Sequence, residues 1–75
     1  MKMTRVNILA KFGEAVRRER LRLNLSQEEL GFRAGLDRTY ISGVERGVRN
    51  PSLTAIVKIA VGLNMEVAEL TRDLR

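Results

Sequence analysis

The sequence predicts an all-α fold. Three observations lead there. Apolar residues recur three and four positions apart through the longer segments, which is the spacing of one helix face. Residues that start helices (Ser26, Asp37, Ser52) and residues that end them (Gly35, Gly47, Asn64) fall between those segments. Finally, residues 27–47, QEELGFRAGLDRTYISGVERG, have the spacing of two short helices joined by a tight turn.

Five helices are expected. The first spans about residues 7–23, with Leu9, Phe12, Val16 and Leu23 roughly on one face. Gly13 within it is either a weak spot or a close-packing position. Asn24 ends it, since Asn tolerates the left-handed conformation of a helix C-terminus. Ser26 with Glu29 three residues on forms a capping box for the second helix. That helix carries Leu30 and Ala34 on one face, with Gly31 beside them where another helix could cross closely. Gly35 permits the turn, Asp37 caps the third helix and Gly47 stops it. Residues 48–51 make a short loop. Ser52 caps a fourth helix bearing Leu53, Ile56, Ile59, Ala60 and Leu63. Asn64 ends it, and a fifth helix of about residues 66–74 aligns Val67, Leu70 and Leu74. No internal repeat, low-complexity stretch or linker interrupts the chain, so residues 1–75 are read as one domain. Residues 1–5 are expected to be disordered.

The segment 27–47 also carries the functional signal. On the third helix, Ile41, Val44 and Glu45 share one side by their spacing. Arg38, Thr39, Ser42 and Arg46 take the other, with Tyr40 beside them. This is the pattern of a helix-turn-helix whose second helix enters the major groove of DNA. Its first turn points into the groove, which singles out Arg38, whose fork can bind O6 and N7 of guanine together. Thr39 offers a hydroxyl and a methyl for a base edge or a thymine methyl. Ser42, one turn on, can reach a base or a phosphate. The bland alternative for this group is a solvated helix face. Tyr40 can donate its hydroxyl to a phosphate or fill space near the backbone, or it can pack against the second helix. Gln27 opens the second helix, where side chain and free amides can hold a phosphate. Arg49 and Asn50 form a basic loop able to reach DNA, although Asn50-Pro51-Ser52 is also ordinary turn chemistry.

Composition agrees with a polyanionic partner. Fourteen Lys and Arg face nine acids, for a net charge of +5 and an isoelectric point of about 10.8. Eleven of the fourteen cations are Arg, which favours bidentate contacts to phosphate or guanine. Arg17, Arg18, Arg20 and Arg22 spread around the first helix rather than forming one stripe, and so add to the long-range field. Hydrophobic residues at 44% with charged residues at 31% describe a globular chain. The absence of Cys excludes a disulfide framework and a thiolate metal site. The absence of His removes the commonest metal ligand and general base. No cofactor, metal or small-molecule ligand is expected. Serines without a His partner, and acids without a clustered metal geometry, argue against an enzyme. The short apolar run at residues 6–10 is neither a signal-peptide core nor a membrane span. A module binding the membrane surface would need a helix with one sharply basic and one continuous apolar face, and the first helix is mixed.

The chain resembles the lambda-repressor-like, Xre-type regulators through Ser26-Gln27-Glu28-Glu29-Leu30, Ala34-Gly35, Ile41-Ser42 and Glu45-Arg46-Gly47. More closely it is similar to the controller proteins of restriction-modification systems, through Leu36-Asp37-Arg38-Thr39-Tyr40-Ile41-Ser42-Gly43 and Arg49-Asn50. The resemblance implies a five-helix DNA-binding domain, a phosphate contact at Gln27 and base reading by Arg38 and Thr39. It implies an internal ion pair between Arg20 and Glu45. It also implies an autoregulatory controller, or, as the alternative, a phage or plasmid repressor or an antitoxin of the same fold. Here Glu19 stands where related chains often have an apolar residue. A cytoplasmic protein follows by elimination and resemblance.

A chain this short has a small core, so dimerisation would help it. Val57, Val61, Met65, Val67, Leu70 and Leu74, on the last two helices (about residues 52–74), are the expected homodimer seam; the alternative is that they complete the monomer core. Phe32 lies off the Leu30–Ala34 face and is expected to pack on the first helix, with contact to RNA polymerase as the alternative. Glu28 matches an activating acid of lambda-like repressors, and is also simply favourable to a helix N-terminus.

Overall fold

The computed structural model describes residues 5–74. Five α-helices follow in order: α1 (Arg5–Arg22), α2 (Gln27–Ala34), α3 (Arg38–Glu45), α4 (Leu53–Gly62) and α5 (Val67–Leu70). A 3-10 turn (Arg72–Leu74) follows. No strand occurs among the described residues. The expected N-terminal disorder falls on residues outside this range except at Arg5, which opens α1.

Local chemistry sets the helix ends. Ser26 Oγ accepts from the Glu29 amide at 2.9 Å, and the Glu29 carboxylate accepts from the Ser26 amide at 2.7 Å. The capping box is therefore complete, and those backbone and side-chain bonds lower the Glu29 pKa below the ordinary carboxylate value. Ser52 Oγ caps α4 through the Ala55 amide at 3.1 Å. Asn24 and Asn64 take positive φ, 60° and 58°, as expected for residues ending helices in the left-handed region. Asp37 stands at the N-cap of α3, but its side chain makes no capping bond. Its carbonyl instead accepts from the Tyr40 and Ile41 amides. The expected fifth helix is divided: α5 stops at Leu70. Thr71 Oγ1 donates to the Val67 carbonyl at 2.8 Å, a back-bond that bends helices, and the chain continues as a 3-10 turn.

The core draws on every helix. Phe12, Ala15 and Val16 of α1 meet Leu30 of α2, Ile41 and Val44 of α3, Ile59, Ala60 and Leu63 of α4, and Leu70 of α5. Burial of each large side chain contributes about 1.5–3 kcal/mol. α2 packs mainly on α4, and α3 lies against both α1 and α2. Gly13 turns out to be a close-packing position. A Cβ there would lie 2.4 Å from the Val44 carbonyl oxygen and 2.6 Å from that of Glu45, so only glycine lets α3 end against α1. Glu19 faces the surface of α1, paired with Arg22 at 2.7 Å and Arg18 at 3.4 Å, and these partners lower its pKa.

A buried ion pair lies among these helices. Arg20 is 8% exposed, and its Nε and Nη2 donate side-on to Glu45 Oε2 and Oε1 at 2.6 and 3.0 Å. Its Nη1 donates to the Leu25 carbonyl at 2.8 Å, just before the cap of α2. The bonds from Glu45 raise the Arg20 pKa, against the opposing effect of burial. The side chains of the pair are 9% and 3% exposed. Replacing Glu45 with Ala is therefore expected to destabilise the domain by about 3–5 kcal/mol, because a buried guanidinium is left without its counter-charge. Thermal or urea unfolding reads this directly; an unchanged midpoint would show that the pair carries no stability.

Candidate nucleic-acid interface

The amphipathic α3 divides as its spacing requires. Ile41 and Val44 are buried at 0% and 1% exposure, while Arg38, Thr39 and Arg46 are exposed and Ser42 is half-buried. The α2–turn–α3 unit is closed by Gly35, whose φ of 69° is left-handed, and its Leu36 amide bonds back to the Gly31 carbonyl at 2.9 Å. Gly31 allows that turn to lie close: a Cβ there would fall 2.5 Å from the Leu36 carbonyl oxygen.

Gly47, with φ of 75°, ends α3, and the loop turns back so that the Val48 and Arg49 amides both donate to the Gly43 carbonyl, at 3.0 and 3.2 Å. Between helix and loop lies an open cleft of about 570 Å³, lined by Thr39, Gly43, Arg46, Val48, Arg49 and Asn50. It has two guanidinium groups and no acidic side chain in its wall. An anion entering it meets only positive or neutral groups.

The structure thus brings Thr39, Arg46, Arg49 and Asn50 into one concavity, with Arg38 exposed on the first turn of α3. Arg46 Nε lies 3.4 Å from Ser42 Oγ, a long contact that leaves both available. Tyr40 is partly packed against the core. Its half-buried ring carries the Arg49 guanidinium 4.7 Å above its centre, and its hydroxyl receives the Ser52 amide at 3.4 Å. Gln27 lies apart from the cleft. Its Nε2 donates to Glu45 Oε1 at 3.1 Å, so the side chain is tied to the buried ion pair as well as sitting on the first turn of α2. Gly43 and Val48 were missed as site residues. The available signal was Gly43 itself, a glycine in a helix interior where nothing local calls for one.

Two expectations are corrected. Phe32 does not pack on α1: it is 89% exposed, on the side of α2 away from Leu30 and Ala34, where it joins Leu25, Glu28, Glu29 and Arg33 around a shallow depression. Leu70 is no free seam residue: it is 2% exposed and belongs to the monomer core. Met65, Val67 and Leu74 are half-buried and packed against that core. Val57 and Val61 remain exposed at 44% and 68%, and Leu53, one turn earlier and 73% exposed, extends them into a stripe along α4. Its four-residue spacing was visible in the sequence.

Among the described residues no three His, Cys, Asp or Glu side chains gather into a group that could hold a metal ion. No described helix is long and apolar enough to cross a membrane.

Comparison with known proteins agrees with this geometry. The helix-turn-helix family model matches residues 16–70. The control protein C.BamHI of Bacillus amyloliquefaciens is 49% identical over 65 residues, covering 85% of this chain and 80% of that protein. The control protein C.MunI of a Mycoplasma species is 39% identical over 69 residues, covering 91% and 93%. The crystal structure of the restriction-modification controller protein C.AhdI from Aeromonas hydrophila superposes with a TM-score of 0.81 at 53% identity, covering 83% of this chain and 94% of that one. With its helix-turn-helix geometry and these relatives, the chain belongs to the Xre-like helix-turn-helix transcriptional regulators, among the restriction-modification controller proteins.

Proposed function

We propose that the chain acts in the cytoplasm as a homodimer that binds a pseudo-palindromic operator by sequence and controls its own promoter within a restriction-modification system. The observation that carries this reading is the surface presented by the exposed Arg38, Thr39, Arg46, Arg49 and Asn50, with Ser42 half-buried among them. Arg38 is the base reader, with Thr39 beside it. Arg46, Arg49 and Asn50 hold the backbone or the groove edge, and Gln27 with the first turn of α2 holds a phosphate. Tyr40 lines the same surface.

The Leu53–Val57–Val61 stripe of α4, with the exposed edges of Met65, Val67 and Leu74, is the proposed dimer seam. A twofold pair through this face would set two recognition helices about 34 Å apart, one turn of DNA. A weak dimer makes occupancy rise steeply as protein accumulates, which delays expression. A first bound dimer would recruit RNA polymerase, with Glu28 and the exposed Phe32 as the proposed contact, and a second beside it would block the promoter. A coupling of about 1–3 kcal/mol between the two sites is enough for that order of filling.

Three measurements test this reading. Sedimentation in the range of tens of micromolar, on the order expected for a weak pair, should show a dimer that Val61→Glu abolishes; a strict monomer, free and on DNA, would remove the seam. Arg38→Ala should relax specificity at one base position, with a loss of about 1–3 kcal/mol, whereas Gln27→Ala should weaken all sequences alike. Equal losses of specific and non-specific binding in Arg38→Ala would reassign Arg38 to the phosphate backbone. Footprinting upstream of the gene should protect two neighbouring pseudo-palindromes in order. Protection elsewhere only would leave the helix-turn-helix regulator standing and sink the autoregulatory role.

A further inference from the structure

Gly43 occupies the middle of α3, where glycine is among the least favourable residues, and no positive φ calls for it there. Its surroundings supply a different reason. A Cβ on Gly43 would fall 3.3 Å from Arg49 Cβ and 3.6 Å from Arg49 Nε. The stem of Arg49 therefore lies against α3 where a side chain at Gly43 would press on it. Beyond that point the guanidinium reaches the face of Tyr40, one turn earlier on α3, at 4.7 Å from the ring centre. The loop is anchored on both sides of this path. The Val48 and Arg49 amides donate to the Gly43 carbonyl, and the Ser52 amide reaches the Tyr40 hydroxyl.

We propose that Gly43 and Tyr40 form a seat that aims Arg49 in the free protein, which makes Gly43 a specificity-determining position through the methyl group it lacks. This rests on the reading of Arg49 as a DNA contact and adds how that contact is prepared. A long side chain loses rotamer freedom on binding, and one already directed along the interface loses less. The cation–π contact is weak at an exposed site, so the head group can leave the ring for a phosphate or a guanine while the stem stays seated. A methyl at Gly43 would press on Arg49 Cβ, which moves only with the loop backbone. The arm would then lose its aim, while α3 itself would gain helix propensity.

The test is a cycle of four proteins: the parent, Gly43→Ala, Arg49→Ala and the double variant. Each is titrated with a duplex that the parent selects from a random-sequence pool and with an unrelated duplex of the same length, and each is melted. Gly43→Ala should melt no lower than the parent yet bind the selected duplex about two- to tenfold more weakly, the range for one immobilised side chain. Arg49→Ala should bind about tenfold more weakly, and the double variant no more weakly than Arg49→Ala alone. Loss on the selected duplex alone identifies a base contact for Arg49; equal loss on both identifies a phosphate. A Gly43→Ala effect that persists without Arg49 means the methyl meets the DNA itself, which overturns the seat and leaves the Arg49 contact intact. Parent-like binding by Gly43→Ala also overturns it. Parent-like binding by Arg49→Ala removes Arg49 from the interface and the seat with it. In the free parent, the Arg49 Nε–H resonance should show the upfield shift of a group above an aromatic face. An unshifted resonance overturns the seat however the variants fold.

Discussion

The contact between Arg20 and Glu45 is the constraint on which the arrangement of the helix-turn-helix depends. Arg20 belongs to α1 and Glu45 to the last turn of α3. Leu25 and Gln27, which accept from Arg20 and donate to Glu45 respectively, flank the cap of α2. All three of these helices therefore converge on one buried charge pair. Such a pair is weak evidence of net stability, since desolvation offsets much of the attraction. Its geometric effect is the stronger argument here. Each guanidinium nitrogen has an acceptor, among the described residues no buried side-chain nitrogen or oxygen is left without a partner, and other registers of α3 against α1 would break several of these bonds together. Gly13 makes the approach possible by leaving room for the carbonyls that end α3.

Around that fixed point the proposed DNA-binding surface combines a helical part and a loop part. The helical part is α3, whose buried Ile41 and Val44 hold its outer residues in phase. The loop part follows Gly47 and is tied to the helix through the Gly43 carbonyl and the Tyr40 ring rather than through a core of its own. Rigid elements place a side chain more accurately, whereas a loop held by a few weak contacts adapts to the groove. Because the wall between them holds arginines and no acids, the field and the contacts favour the same ligand.

The core is small for reasons of scale. A domain of this length buries a modest fraction of its surface, and some large apolar side chains are left outside. They are not scattered evenly. Leu53, Val57 and Val61 follow one line of α4, α2 displays Phe32 beside Glu28, Glu29 and Arg33, and Ile8, Leu21 and Val48 lie singly elsewhere. The first is an uncharged stripe suited to a second apolar face. The second is a single exposed aromatic ring in surroundings of mixed charge.

The sequence by itself determined what depends on near neighbours. Helix spacing, the capping box at Ser26 and Glu29, the left-handed Asn24 and Asn64, and the phase that turns Arg38, Thr39 and Arg46 outward all rest on residues within about one turn of each other. The resemblance added one distant pair, Arg20 with Glu45, and the structure contains it. Tertiary structure alone decided whether an apolar side chain off the main stripe is covered. Phe32 is left bare because no other helix lies over its side of α2, and Leu70 is enclosed because α5 folds back onto the core. It also decided that Gly13 is a contact rather than a flaw, that Gln27 leans on Glu45, and that Arg49 rests on Tyr40. These follow from where distant backbones meet, and a periodicity of three to four residues carries no information about which surface arrives from elsewhere in the chain.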